Sequence, residues 1–112
     1  MKTSSSQERS LTAEQVVTFV AMLDEQRQFR VEQIAEHSLR AALCPVETPA
    51  EHEVNGLVMR GAICALADIE AALGRIANGT YGHCVLCLQE ISVERLEVLP
   101  HAATCLRCEG AR

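Results

Sequence analysis

C-V-L-C at residues 84–87 and C-L-R-C at residues 105–108 are the stretches that decide the fold of this chain. Each is a C-x-x-C pair, and seventeen residues separate the two pairs. One pair alone is also compatible with a redox motif, whereas two pairs at this separation are typical of a four-cysteine zinc site. Zn²⁺ binds four ligands in a tetrahedron, and a site filled by protein ligands is structural rather than catalytic. We therefore predict one structural Zn²⁺ with the ligands Cys84, Cys87, Cys105 and Cys108.

Other residues around the cysteine pairs have open roles. His83 and His101 lie close enough in sequence to replace a thiolate, although we favour exposed positions or hydrogen bonds to the ligands for both. Arg95 and Arg107 are candidates to offset the thiolate charge, or they are ordinary surface residues. Cys64 does not fit the zinc spacing, and we predict it to be a small buried apolar residue.

Two long helices are predicted upstream of the cysteine pairs. T-A-E-Q at residues 12–15 is a capping box, and neither Gly nor Pro interrupts residues 11–44, which predicts a helix of about 30 residues. T-P-A-E at residues 48–51 is a second capping box with proline at the first helical position. Gly79 is suited to end this second helix. Because the connection is short, we predict that the helices form an antiparallel hairpin.

Apolar residues recur along both predicted helices in steps of three and four, as in a coiled coil. In the first helix they are Val16, Val20, Leu23, Val31, Ile34 and Ala41, with Arg27 and Ser38 at intervening positions. In the second helix they are Val58, Ala62, Ala65, Ile69, Ala72 and Ile76. The predicted fold is mainly α: a disordered segment at 1–10, a two-helix coiled-coil hairpin at 11–79 with its tip at about 44–48, and a zinc-finger module at 80–112.

Composition excludes several classes of function. The chain has 112 residues and a net charge of −5, and its lysine and arginines (ten in all) are scattered, so we expect no direct binding to DNA. Residues 1–10 do not resemble a signal peptide, and charges interrupt the most apolar stretch, so we expect neither secretion nor a membrane span. Cysteines used for metal rather than for disulfides fit a cytoplasmic protein.

Residues 72–108 resemble the DksA/TraR family of RNA polymerase-binding regulators. The resemblance rests on the four cysteines, on G-T-Y-G at residues 79–82, and on Ile91, Arg95-Leu96, Pro100 and Ala102 between the pairs. It implies a zinc-containing transcription regulator, not an enzyme, with core RNA polymerase as its partner. Family members insert the helical hairpin into the secondary channel of the polymerase, where acidic residues at the tip act near the catalytic magnesium.

The chain departs from the family pattern at three places. Instead of the family's two tip aspartates it has Glu47, with Glu51 and Glu53 nearby as further candidates for partner binding, although Glu51 also fits the capping box. Leu88 replaces the usual glycine after the second cysteine, and the sequence ends four residues after Cys108, where larger members continue into a C-terminal helix.

These departures keep two rival interpretations open. One is a zinc-stabilised adaptor for protein interactions that has no polymerase activity. The other is a thiol-redox enzyme, against which the second cysteine pair counts. Cys44, at the predicted tip, is a candidate for redox sensing only if its thiol is activated, and His52 is the one nearby base.

Overall fold

The computed structural model of the chain describes residues 11–44 and 47–111. These residues form four helices, α1 (Ala13–Leu43), α2 (Pro49–Asn78), α3 (Val93–Val98) and α4 (Leu106–Ala111). Within the described ranges, β-pairing is limited to an isolated antiparallel bridge between His83 and Glu90. The predicted mainly helical fold class is confirmed, whereas the predicted disorder at residues 1–10 lies outside the described residues. No helix in the described ranges combines the length and apolarity needed to cross a membrane.

Both long helices begin at the predicted capping boxes. The Thr12 hydroxyl accepts from the Gln15 N–H at 3.1 Å, and the Gln15 side chain accepts from the Thr12 N–H at 2.9 Å. Thr48 and Glu51 make the same pair of bonds at the start of α2. Gly79 follows α2 with φ +79°, a left-handed conformation that is cheap only for glycine. Local sequence therefore determines where the hairpin's helices begin and where α2 ends.

A single core joins the open end of the hairpin to the cysteine-rich module. The ring centroids of Phe19 in α1 and Tyr81 in the module are 5.8 Å apart. Leu23 and Leu96 are fully buried, and each such side chain contributes about 1.5–3 kcal/mol through the hydrophobic effect. The buried members of this core are Phe19, Leu23, Ile69, Ala72, Tyr81, Cys84, Ile91, Leu96 and Ala102.

The hairpin has two parts that differ in burial. The basal part, residues 11–23 and 62–78, contributes all the hairpin residues of the core. The outer part, residues 24–44 and 47–61, contains no buried residue among those that the structure describes. The molecule measures 65 × 30 × 20 Å, so the outer part extends well beyond the core.

The predicted seam is correct in the basal part, and in the outer part of α1 it is correct at Arg27 and Ile34, which are half-buried. It is wrong at Val31 and Ala41 of α1 and at Val58 of α2, which are exposed, whereas several polar residues of α1 are half-buried. These are Gln26, Arg27, Arg30, Gln33 and His37. Long polar side chains cover apolar surface with their stems while their polar ends reach water, so an apolar pattern alone misplaces the contact.

Cys64 is exposed, which contradicts its predicted burial. It lies between the buried Ala62 and the half-buried Ala65, and a helix turns each residue by about 100° relative to the one before it. A position two residues after a buried one therefore faces away from the partner helix.

Candidate metal centre and hairpin tip

The four cysteines of the two C-x-x-C pairs converge on one point. The sulfurs of Cys84, Cys87, Cys105 and Cys108 all lie within 4.8 Å of one another. Cys84 is buried and the other three are half-buried. Within the described part of the chain, this group includes neither His83, which is exposed, nor His101, which is half-buried.

The geometry of this group fits a tetrahedral zinc ion. With Zn–S bonds of about 2.3 Å, the sulfurs at two corners of a tetrahedron are about 3.8 Å apart. The sulfurs of Cys87 and Cys105, one from each pair, are 3.8 Å apart. Four thiol donors from two short turns leave no vertex for water, so a metal in this position would stabilise the fold rather than catalyse a reaction.

The local backbone favours thiolates at this site. Burial raises the pKa of the Cys84 thiol, but N–H groups of Cys87, Cys105 and Leu86 oppose it and bring that pKa down to about 6. The backbone N–H of Cys108 lowers the pKa of Cys105. The pKa of Cys108, in contrast, is raised to about 12, mainly because its thiol forms a hydrogen bond with the Cys105 sulfur. A cation at the centre would reverse this effect, since a coordinating thiol is deprotonated.

A tight turn presents the first cysteine pair. The Leu88 N–H donates to the Cys84 carbonyl at 2.9 Å, and the Cys84 N–H donates to the Gln89 carbonyl at 2.8 Å. Leu88 has φ +66°, whereas the other described residues with positive φ, Gly79 and Gly82, are glycines. The glycine expected from the family pattern is therefore absent at a position whose backbone favours glycine.

The second cysteine pair lies at the start of α4. Its turn is closed by the Glu109 N–H, which donates to the Cys105 carbonyl at 2.9 Å. The two flanking arginines have different roles here. Arg107 Nη2 lies 3.8 Å from the Cys87 sulfur and interacts with the thiolates, whereas Arg95 Nε donates to the Thr104 carbonyl at 3.0 Å. Of the two, Arg107 offsets thiolate charge and Arg95 holds the backbone before the second pair.

Two polar contacts fix the module, one within it and one to the hairpin, and sequence reasoning did not find them. The Tyr81 hydroxyl donates to the Pro100 carbonyl at 2.7 Å, and burial raises the pKa of Tyr81 to about 12. Arg75 of α2 points one nitrogen at the carbonyls of His101 and Ala102, at 3.4 Å each. Such contacts join residues about 20 to 27 positions apart, and no local pattern marks them.

The tip places its three candidate acids in different surroundings. Glu47 Oε1 accepts from His52 Nδ1 at 2.7 Å and Glu47 Oε2 accepts from Asn55 Nδ2 at 2.8 Å. Glu51 closes the capping box of α2, and Glu53 is exposed. The hydrogen bond from His52 is the main reason that the pKa of Glu47 is lowered, and the bond from Asn55 adds to it. The structure therefore brings Glu47 together with two residues, His52 and Asn55, that the sequence did not identify as its partners.

Comparisons with known proteins agree with this arrangement. Residues 79–112 match the family model of the prokaryotic dksA/traR C4-type zinc finger. The chain is 56% identical over 39 residues to the uncharacterized protein YteA of Bacillus subtilis, and 41% identical over 46 residues to an uncharacterized protein of Aquifex aeolicus. These matches cover 35% and 41% of this chain, but only 16% and 32% of the relatives, so the chain spans a minor share of their length.

Solved structures share the fold over most of the chain. The transcription factor DksA2 of Pseudomonas aeruginosa matches with a TM-score of 0.75 and 24% identity, over 88% of this chain and 83% of DksA2. The RNA polymerase binding protein and transcriptional regulator Dks of Chlamydia trachomatis matches with a TM-score of 0.53 and 24% identity, over 91% of each chain. The hairpin and the module thus occur together in this fold.

Proposed function

We propose that this chain is a non-enzymatic transcription regulator of the DksA/TraR type that binds core RNA polymerase in the cytoplasm, because residues 79–112 match the dksA/traR C4-type zinc finger. The observation that carries the proposal is the shape of the hairpin. Two helices of 31 and 30 residues extend from the module and end in an outer part without buried residues. Such a narrow projection is suited to enter the secondary channel of the polymerase, with the module remaining outside.

The module has a supporting role in this proposal. Cys84, Cys87, Cys105 and Cys108 bind one structural Zn²⁺, and their fit to a tetrahedron supports this assignment. Because Cys84 also belongs to the core that contains Phe19 and Ile69, zinc binding stabilises the base of the hairpin as well as the module. The zinc site thereby holds the hairpin in a fixed direction.

Glu47 is the residue that we propose to act inside the channel. It is the acid of the connection between the long helices, and it is ionised at neutral pH because its pKa lies below the ordinary value of 4.5. Glu53, in the second turn of α2, contributes exposed negative charge, whereas Glu51 stabilises the start of that helix. The hairpin then brings negative charge, and not only its narrow shape, close to the catalytic magnesium. Direct DNA binding forms no part of this function, because the chain has a net charge of −5.

Capture of core RNA polymerase by the tagged protein tests this proposal. We expect the zinc-loaded chain to capture the polymerase, and we expect a known secondary-channel binder to abolish the capture. Capture that persists with the competitor would contradict insertion into the channel. If zinc-loaded protein captures no polymerase, the proposed function is wrong.

An adaptor for another protein is the second candidate. The cysteine turns expose apolar side chains that no part of the described fold covers: Val85, Leu86, Leu88 and Leu106 are 51%, 60%, 74% and 69% exposed. Together with the missing tip aspartates, this surface favours a protein partner that contacts the module. A dominant partner other than polymerase in the same capture experiment would support this candidate.

A further inference from the structure

We propose that His52 and Asn55 are positioning residues that hold the Glu47 carboxylate in one orientation at the tip of the hairpin. This inference rests on the proposed function, because it concerns the acid that acts inside the polymerase. The tip aspartates of the family are absent from this chain, and a fixed glutamate takes their place.

The geometry accounts for both oxygens of the carboxylate. Glu47 lies just before Thr48, the residue that caps α2, and its side chain folds back over the first two turns of that helix. His52 and Asn55 are three residues apart, so they lie on one face of α2 and reach the carboxylate together. Each donates to a different oxygen, at 2.7 and 2.8 Å. Two donors to two oxygens fix the rotation of the carboxylate, which one donor would leave free.

The held carboxylate remains available to a partner. A carboxylate offers about four acceptor positions, of which His52 and Asn55 occupy two. The Glu47 side chain is 29% exposed, so the remaining positions are open to solvent. Glu47 lines an open hollow at the tip together with Arg40, Cys44 and Val54. It can therefore accept further hydrogen bonds or contact a cation without leaving its two partners.

Charges on both helices surround this carboxylate. His52 of α2 and His37 of α1 both lower the pKa of Glu47 through their charge. Arg40 lies on the same side of α1 but pairs with Glu36, one turn earlier, at 3.2 Å. Glu51, one turn into α2, is bound to the Thr48 N–H. The direct partners of Glu47 are thus His52 and Asn55, and the other charged groups act from a distance.

Holding the side chain has a measurable consequence. A glutamate that moves freely must be ordered each time it contacts its target inside the channel, and immobilising such a side chain reduces the equilibrium constant of that contact, not of polymerase capture, about 2- to 10-fold. Because His52 and Asn55 already hold Glu47, the entropy of ordering its side chain is lost when the chain folds. It is not lost again when Glu47 contacts the polymerase. Release of the carboxylate should weaken the effect on transcription by a similar factor.

The experiment is a set of variants measured for polymerase binding and for transcription. His52→Ala and Asn55→Ala each remove one donor, Glu47→Ala removes the carboxylate, and Glu70→Ala is the control for loss of an exposed acid of α2 outside the tip. For the double variant of His52 and Asn55 we expect an effect on transcription about 2- to 10-fold weaker at saturating protein, with unchanged capture of polymerase. We expect His52→Gln, which keeps a donor, to restore part of the effect.

Combination with Glu47→Ala separates positioning from helix stability. If His52 and Asn55 act through Glu47, the double variant will lose nothing further in the Glu47→Ala background. An equal further loss in that background would overturn the proposal, because it would show a role independent of the carboxylate. Full activity of the double variant with Glu47 intact would also overturn it.

Titration of the Glu47 carboxyl carbon by NMR tests the contact without the polymerase. We expect the midpoint to rise in the double variant, because the bonds that lower the pKa of Glu47 are removed. An unchanged midpoint would overturn the proposal. If wild-type protein binds no polymerase, the proposed function fails together with the positioning role, and a shifted midpoint would then show only a structural contact.

Discussion

The basal and outer parts of the hairpin belong to the same two helices but are stabilised in different ways. The basal part packs Phe19, Leu23, Ile69 and Ala72 into a core shared with the cysteine module. The outer part, where the structure describes it, buries no residue and is held by half-buried side chains such as Arg30 and Ile34 and by helix-internal contacts such as the Arg40–Glu36 pair. The difference shows that stability is concentrated at one end of the molecule. Surface residues at the other end can therefore vary with little effect on folding.

Removal of one zinc ligand should have the largest effect. We expect Cys105→Ser to lose bound zinc and to unfold the module with the basal core, lowering the melting temperature by about 10 °C or more. Zinc content and thermal unfolding measure this, and Cys64→Ser is the control because Cys64 is an exposed cysteine outside the site. Full zinc retention with unchanged melting would refute the prediction. Retained helix content in zinc-free protein would show that the outer part does not depend on the basal core.

Two leucines of α1 compare the two parts directly. Leu23 is fully buried in the basal part, and we expect Leu23→Ala to lower the free energy of unfolding by about 2–5 kcal/mol. Leu39 in the outer part is 59% exposed, and we expect Leu39→Ala to change it by no more than about 0.5 kcal/mol. Urea unfolding measures both. Similar losses for the two variants would mean that the outer part is buried in solution, for example against a second copy.

Tyr81 tests a buried hydrogen bond within the module. The structure favours its neutral phenol, so the folded pKa, about 12, exceeds the ordinary value of 10.0. The stabilisation that the neutral Tyr81 phenol provides is therefore fully present below pH 10 and is lost as the pH rises toward 12. We expect Tyr81→Phe to lower the free energy of unfolding by about 1–3 kcal/mol at pH 8, because the Pro100 carbonyl loses its donor.

The difference between wild type and Tyr81→Phe in urea unfolding should become smaller between pH 8 and pH 11. A difference that stays constant over this range would show that ionisation of Tyr81 does not affect the stability of the basal core.

The smallest effect is expected at Leu88. Its left-handed conformation costs a leucine about 1–2 kcal/mol, and the greater freedom of glycine in the unfolded chain offsets part of the gain. Leu88→Gly should therefore raise the free energy of unfolding by up to about 1 kcal/mol. Leu86→Gly is the matched control in the same turn, since Leu86 is exposed but lacks a positive φ, and we expect it to destabilise. Destabilisation by Leu88→Gly would show that the leucine side chain contributes to folding.

Features encoded within a few neighbouring residues were predictable from the sequence. The capping boxes at Thr12 and Thr48 and the left-handed Gly79 each depend on side chains or backbone within about one turn. The convergence of the four cysteines was predictable for a related reason: a metal restricts the spacing of its ligands. The capping boxes and the short connection predicted the helical hairpin, and the resemblance of residues 72–108 to a family agreed with that fold.

Features that join distant residues were not predictable. The Phe19–Tyr81 contact and the bonds of Arg75 depend on how the module packs against the hairpin, which no periodic pattern records. In the outer part of α1, Val31 continues the apolar pattern but is exposed, because the polar side chains of α1 cover the contact with α2. The bond from Asn55 to Glu47 spans eight residues across a helix start and leaves no local signal.

The order of the core residues along the chain has a consequence for synthesis on the ribosome. Both long helices are complete by Asn78, but their core partners Tyr81, Ile91, Leu96 and Ala102 are translated afterwards. A nascent hairpin can pack its two helices on each other, but its basal core stays incomplete until the second cysteine pair has emerged. Under the proposed zinc binding, completion of that core during synthesis then also depends on metal.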